Sequence, residues 1–274
     1  MTEDWTKWES LVINGMYPLR RFLTRSDHSV VFLTEYSQGG AADAAIKLIP
    51  ADPVSSGAQI AQWQAMAALS PPYLIRIFDS GRCKLGGHPF LFIVMEYAEQ
   101  TLAQILPQRA LTLDEVRELL PPTIGALGFL HARNLVHCRL KPPNFLVVND
   151  QLKLASDAVR PAEDRDGRVT PAGDIWALGA TLVEALTQHP PDERAGAISL
   201  PDTLPPAFAD TLRRCLSANP AERPAITDLD AQFKGAPAPP FIAAAQPTNA
   251  APSTPPVAPA APAVQPAAPP AAHH

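Results

Sequence analysis

The sequence predicts an α+β fold, an antiparallel β-sheet with one helix followed by mainly helical segments and a Pro/Ala-rich tail. Three observations predict it. Between residues 19 and 49, short apolar runs alternate with polar turns, as in an antiparallel meander. From Thr112 onward most segments read as helices, the first opened by the capping-box pattern Thr112-Leu113-Asp114-Glu115. After Lys234 no Asp, Glu, Lys or Arg occurs, and the chain is mostly Ala and Pro.

Composition sets the outer bounds. The 274 residues suffice for one large or two ordinary domains, and 46% hydrophobic with 18% charged residues suits a globular core. A net charge of −5 gives no reason to expect nucleic-acid binding. Three widely spaced cysteines (Cys83, Cys138, Cys215) fit neither a disulfide framework nor a zinc site, which favours a reducing cytoplasm. No signal peptide opens the chain, and no apolar run approaches the roughly 20 residues of a membrane span.

The elements follow in order. Residues 1–16 hold Trp5, Trp8, Leu11, Val12 and Ile13, a short extension whose aromatics pack on the first lobe. The runs 19–23, 30–33 and 44–49 are the first three strands, the last following a Gly39-Gly40 turn. Residues 59–69 form a helix ended by Pro71-Pro72. Residues 74–78 and 89–94 are two more strands. Pro121-Pro122 should kink or restart the long helix that Thr112 opens. A hairpin is expected over 145–155 around Asn149-Asp150, and closing helices over 174–186, 210–216 and 220–229. The Pro/Ala-rich stretch 236–274 cannot bury enough surface to offset ordering entropy and reads as a disordered linker.

The whole is organised around His137-Cys138-Arg139-Leu140-Lys141-Pro142-Pro143-Asn144, a loop between a helix and a hairpin. Its order and spacing resemble the catalytic loop H-R-D-L-K-P-x-N of eukaryotic-like protein kinases of bacterial type. Ala45-Ile46-Lys47 resembles the A-x-K of that family, and Met95-Glu96-Tyr97 its hinge. Asp174-Ile175-Trp176-Ala177-Leu178-Gly179 is similar to the D-x-W-S-L-G helix, and 215–224 to C-L-x-x-x-P-x-x-R-P. The resemblance covers residues 17–235, with an N-lobe over 17–98 and a C-lobe over 99–235.

What the resemblance implies about chemistry is mixed. It makes Lys47, Lys141, Asn144, Val31, Ala45, Leu146, Glu96 and Tyr97 a vestigial nucleotide pocket. The three loop glycines are replaced by Thr24, Ser26 and Ser29, and the helix glutamate that pairs with the lysine by Gln62. Arg139 stands where the family keeps its catalytic Asp. In the K-L-x-D-F-G register Ser156 replaces the metal-binding Asp; counting from Asn144 instead makes Asp157 the metal ligand. Asp174 is expected to brace the catalytic loop, and Arg223 lacks its usual glutamate partner. Arg139, beside Lys47 and Lys141, is expected to find Asp157 or the segment 163–166.

The expectation is therefore a pseudokinase, a catalytically inactive regulatory or binding module in bacterial signalling and not an enzyme. It has no cofactor, ATP binding is weak or absent, and its partner is a protein. It binds no nucleic acid, lies in the cytoplasm, and meets a membrane only through an anchor beyond residue 274. Two alternatives stand beside it: a divergent nucleotide-binding transferase or kinase using Lys47, Lys141, Asn144 and Asp157, and a scaffold with an empty cleft.

Overall fold

A computed structural model describes residues 5–37, 42–163, 169–191 and 200–233. The Gly39-Gly40 turn, residues 164–166 of the acidic segment and the Pro/Ala-rich stretch with Phe241 and Ile242 lie outside the described residues.

A short 3-10 turn, Trp5–Trp8, leads into a small hairpin of β1 (Val12–Ile13) and β2 (Tyr17–Pro18). The main sheet follows: β3 (Arg21–Ser26), β4 (Ser29–Tyr36), β5 (Ala42–Pro50), then helix α1 (Ser56–Leu69), β6 (Ile77–Leu85) and β7 (His88–Glu96). Its order is β3-β4-β5-β7-β6, antiparallel throughout. The expected meander is present, but the strand expected over 74–78 starts later. Leu74 instead bridges Leu154 in parallel.

Strand alternation assigns the two faces of this sheet. Val30, Phe32, Ile46, Leu48, Phe92 and Val94 share one buried cluster, joined by Trp8, Ile13 and Tyr17 from the N-terminal segment. Trp8 packs edge-on against Phe90 with ring centroids 5.4 Å apart. The intervening residues Val31, Leu33, Ala45 and Lys47 face the other way, paired Val31 to Lys47 and Leu33 to Ala45.

The helical part contains β8 (Gln100–Thr101), α2 (Leu102–Ile105), α3 (Leu113–His131), β9 (Leu135–Val136), β10 (Phe145–Val148), β11 (Gln151–Leu154) and β12 (Arg160–Pro161). Helices α4 (Pro171–Thr187), α5 (Pro206–Cys215) and α6 (Ile226–Phe233) complete it. Thr112 caps α3 as its sequence suggests, accepting from the Glu115 amide while Glu115 accepts from the Thr112 amide. The β10–β11 hairpin turns on Asn149 and Asp150, with φ 49 and 60, the left-handed pair that a two-residue hairpin needs.

Pro121 and Pro122 do not restart α3, which is one helix through both. Each proline removes one N–H, and the carbonyls so deprived belong to Arg117 and Glu118, exposed and half-buried residues that can meet solvent. Immediately after them, the Thr123 hydroxyl adds a 2.7 Å bond to the Leu119 carbonyl. Among the described residues, no helix is long and apolar enough to cross a membrane.

Candidate functional site

Lys47 leaves the central strand β5 on the face away from the core cluster, and its Nζ donates to Asp157 Oδ2 at 2.7 Å. The two side chains are 17% and 9% exposed. Burial pushes the Asp157 carboxyl up; the Lys47 ammonium beside it outweighs this and holds it below the usual carboxylate range. Gln62, counted as the partner of Lys47, instead reaches the Val159 carbonyl.

Three bonds fix Asp157. The buried Trp63 indole N–H donates to the Asp157 carbonyl at 2.8 Å. One residue earlier, the Ser156 hydroxyl turns inward and donates to the Ile75 carbonyl at 2.7 Å. Two residues later, Gln62 holds Val159. Ser156 is 1% exposed and does not face the cleft. Of the two residues the sequence offered for this position, Asp157 is the one that meets Lys47, while Ser156 turns to the Ile75 carbonyl. The strand ends at Leu154, and a turn begins at Asp157, so alternation no longer dictates which residue points inward there.

The loop 137–144 is held from below by Asp174, 1% exposed on α4. Its carboxylate accepts from the amides of His137 at 2.8 Å and Cys138 at 2.9 Å, and lies 3.0 Å from His131 Nε2. Cys138 has φ 66, a left-handed conformation costly for a side-chain-bearing residue, which these bonds sustain. Burial pushes the His137 imidazole below its usual value against the pull of Asp174. Asn144 Nδ2 donates to the Arg139 carbonyl at 2.6 Å, and the Asn144 carbonyl accepts from Ala155 N, tying the loop to the end of β11.

Arg139 and Lys141 are exposed, and Asn144 and Leu146 are half-buried. Arg139 makes no salt bridge with Asp157, whose partner is Lys47; the other contact expected for Arg139, with residues 163–166, falls mostly outside the described residues. Val31 lies half-buried beside Lys47, and Ala45 is buried on the same face. Glu96, at the end of β7, is held on both sides. Its amide donates to the Arg76 carbonyl at 3.0 Å, and its carboxylate binds Lys153 Nζ at 2.8 Å and Arg76 N at 2.9 Å. Tyr97 accepts through its hydroxyl from Arg21 at 3.5 Å. Thr24, Ser26 and Ser29 lie on the exposed β3–β4 hairpin, closed by a 2.8 Å bond between Ser26 and Ser29. Arg223, whose partner the sequence does not name, donates to the carbonyls of Ala172 and Ser217, each at 2.9 Å.

Sequence reasoning missed Trp63 and the Glu96–Lys153 pair. The signal for Trp63 was its place next to Gln62 on a helix already expected to face the cleft. Among the described residues, no group of three or more His, Cys, Asp or Glu could hold a metal. The donor set still suits magnesium, which takes one or two protein oxygens and completes its shell with waters and phosphates. Asp157, with one oxygen on Lys47, and Asn144, with its NH₂ group on Arg139, each keep a further oxygen for that purpose.

A profile of the protein kinase domain matches residues 25–157. The serine/threonine-protein kinase PknL of Mycobacterium tuberculosis is 30% identical over 200 residues, covering 58% of this chain and 49% of PknL. PknB of Mycobacterium leprae, also named a serine/threonine-protein kinase, is 26% identical over 160 residues, 47% of this chain and 25% of PknB. Mouse PLK5, named an inactive serine/threonine-protein kinase, is 30% identical over 180 residues, 51% of this chain and 29% of PLK5. The chain thus spans about half the length of PknL and less of the others.

These relatives overturn the expectation of a non-enzyme. The matched domain and the relatives named as serine/threonine kinases point to a kinase enzyme, and the Lys47–Asp157 pair stands where the sequence suggested a lost metal site. With the sheet, the braced loop and the profile match in agreement, the chain carries a protein-kinase-like fold of bacterial type.

Proposed function

We propose that this chain is a nucleotide-dependent phosphotransferase domain of bacterial signalling, acting through Lys47, Asp157, Asn144 and Lys141 in the cytoplasm on or with a protein partner. The observation that carries the reading is the 2.7 Å Lys47–Asp157 contact on the sheet face that also bears Val31 and Ala45. An ammonium held beside a carboxylate offers both halves of a phosphate and metal site, with the cation for phosphate oxygens and the anion for a divalent ion. Magnesium, when bound, would neutralise phosphate charge as the transferred group separates. The chain's own part is positioning. Asp174 and Asn144 hold the loop backbone, and Trp63 and Ser156 aim Asp157 at Lys47. The reading departs from the expectation of weak or absent ATP binding because Asp157, not Ser156, faces Lys47.

The test is transfer of γ-labelled phosphate from magnesium-ATP, with binding followed by thermal shift. Binding and label transfer that both vanish in Lys47→Ala and Asp157→Ala support the proposal. A chain that neither binds magnesium-ATP nor releases its γ-phosphate overturns it.

A further inference from the structure

We infer that the N-terminal hairpin and the adjoining edge of the main sheet form a peripheral docking surface for an anionic lipid membrane. The inference stands apart from the phosphotransferase reading and uses none of its residues.

Strand β6 is an edge of the main sheet, and two segments meet at its Arg82. On one side the β1–β2 hairpin turns through Asn14 and Gly15, φ 49 and 74, and the Asn14 side-chain amide donates to the Arg82 carbonyl at 3.0 Å. On the other, a β-carbon added at Gly57, in the first turn of α1, would lie 3.9 Å from Arg82 Nη2. Lys84 shares the Arg82 face of β6, since the alternate residues Cys83 and Leu85 enter the core cluster. The hairpin gives Ile13 and Tyr17 to that same core and leaves its other large side chains outside. Leu11, Val12 and Met16 are 42%, 52% and 59% exposed, and Val54, three residues before Gly57, is 92% exposed. Among the described residues six large apolar side chains are exposed, and these are four of them. Apolar surface scattered singly is ordinary; here it is gathered on the segments that flank Arg82.

Two cations stand beside these side chains. Arg82 and Lys84 are exposed, and among the described residues neither forms an ion pair. The carboxylates nearest along the chain are held by hydrogen bonds. Glu9 accepts from the Phe22 amide at 2.8 Å, Asp79 from the Tyr17 hydroxyl at 2.5 Å, and Asp52 from the Ser55 amide at 2.9 Å. In a chain of net charge −5, this corner sets unpaired cations next to bare aliphatic groups. That combination selects the chemistry of the partner. Val12 and Met16 flank a turn and Val54 sits on a loop, so they project outward and do not line a groove. Projecting aliphatic groups are taken up by the soft boundary between headgroups and acyl chains, while Arg and Lys beside them meet lipid phosphates. The contact is peripheral, for among the described residues no helix is long and apolar enough to cross a membrane.

The test is cosedimentation of the full chain with vesicles of phosphatidylcholine alone, and of phosphatidylcholine with about 30% phosphatidylglycerol to supply a negative surface potential. The chain should pellet with the anionic vesicles, little with the neutral ones, and less at high salt. Arg82→Ala and Lys84→Ala should each weaken partitioning about fivefold. The double variant Val12→Asp/Met16→Asp should abolish pelleting, whereas Leu69→Asp, on an exposed leucine at the other end of α1, should leave it unchanged. Thermal melts check that the variants fold; if the hairpin variant melts early, the two exposed cation variants decide. No pelleting with anionic vesicles, equal pelleting with neutral ones, or pelleting indifferent to the hairpin and cation variants overturns the inference. A concentration-dependent dimer that Met16→Asp dissolves, without vesicle binding, overturns it in favour of a second copy of this chain. Binding of polyglutamate but not of anionic vesicles overturns it in favour of an acidic protein segment.

Discussion

Replacing Lys47 with Met keeps the side chain's length and removes the cation hydrogen-bonded to Asp157. With the pair only 17% and 9% exposed, the variant strands a carboxylate in a largely dry cleft. Breaking a buried pair from one side costs about 3–5 kcal/mol, and the residual exposure of Lys47 sets the expectation near the lower figure, about 3 kcal/mol. For a folded unit of roughly 200 residues, each kcal/mol lowers Tm by about 2–4 °C, so the drop should be about 6–12 °C. The sign with pH follows from the depressed Asp157 pKa. Its contribution is fully present above the unfolded value of about 3.9 and is lost as pH falls through the lower folded value. The gap between parent and variant is therefore widest near neutrality and closes in acid. The double variant Lys47→Met/Asp157→Asn should recover most of the loss, because no charge is then stranded. Thermal melts by circular dichroism at neutral and acid pH read all of this. A Lys47→Met melt matching the parent's at neutral pH, or a double variant no more stable than the single one, would refute the reasoning.

Three other outcomes are expected. Trp63→Phe leaves the Asp157 carbonyl without its donor in a buried site and should cost about 1–3 kcal/mol, seen as a lower urea midpoint; an unchanged midpoint would make the indole a spectator. Ser156→Ala should lower stability by about 1 kcal/mol and leave magnesium-ATP affinity alone, whereas Asp157→Ala should weaken it at least about tenfold. The reverse order in a binding titration would return the metal position to Ser156. Because burial holds His137 neutral, with a depressed pKa, the parent should lose stability as pH falls below the imidazole's ordinary value of about 6.5. Melts between pH 7 and 5 should show a shallower slope for His137→Phe; an identical slope would assign the titration elsewhere.

Much of the fold is legible because it is written in periodicity. Alternation over Val30 to Leu33 and over Ala44 to Leu48 separates the core face from the face bearing Lys47. The octapeptide and Asp174 are likewise legible, since a loop stripped of regular backbone bonds needs side chains of fixed type to hold it. The Ser156 and Asp157 assignment is not, because it falls where the strand's alternation stops and a turn begins. The partner of Arg223 was invisible for a different reason: it is a pair of backbone carbonyls, and a carbonyl acceptor leaves no residue type behind. Pro121-Pro122 do not restart the helix, and the carbonyls they free belong to exposed and half-buried residues with access to solvent.

The N-terminal segment has a practical consequence for anyone handling this domain. The profile match begins at residue 25, yet Trp8 and Ile13, 7% and 1% exposed, share the core with Phe32, Ile46 and Phe90. The same segment is stitched to the sheet by Ser10 N to the Leu19 carbonyl at 2.7 Å and by Phe22 N to Glu9 Oε1 at 2.8 Å. A fragment trimmed to the family boundary would strip the indole from Phe90 and lay bare the aromatic side of the sheet, a sticky surface of the kind that drives aggregation. The unit that folds thus begins ahead of the stretch the profile matches, and expression should start ahead of Trp5.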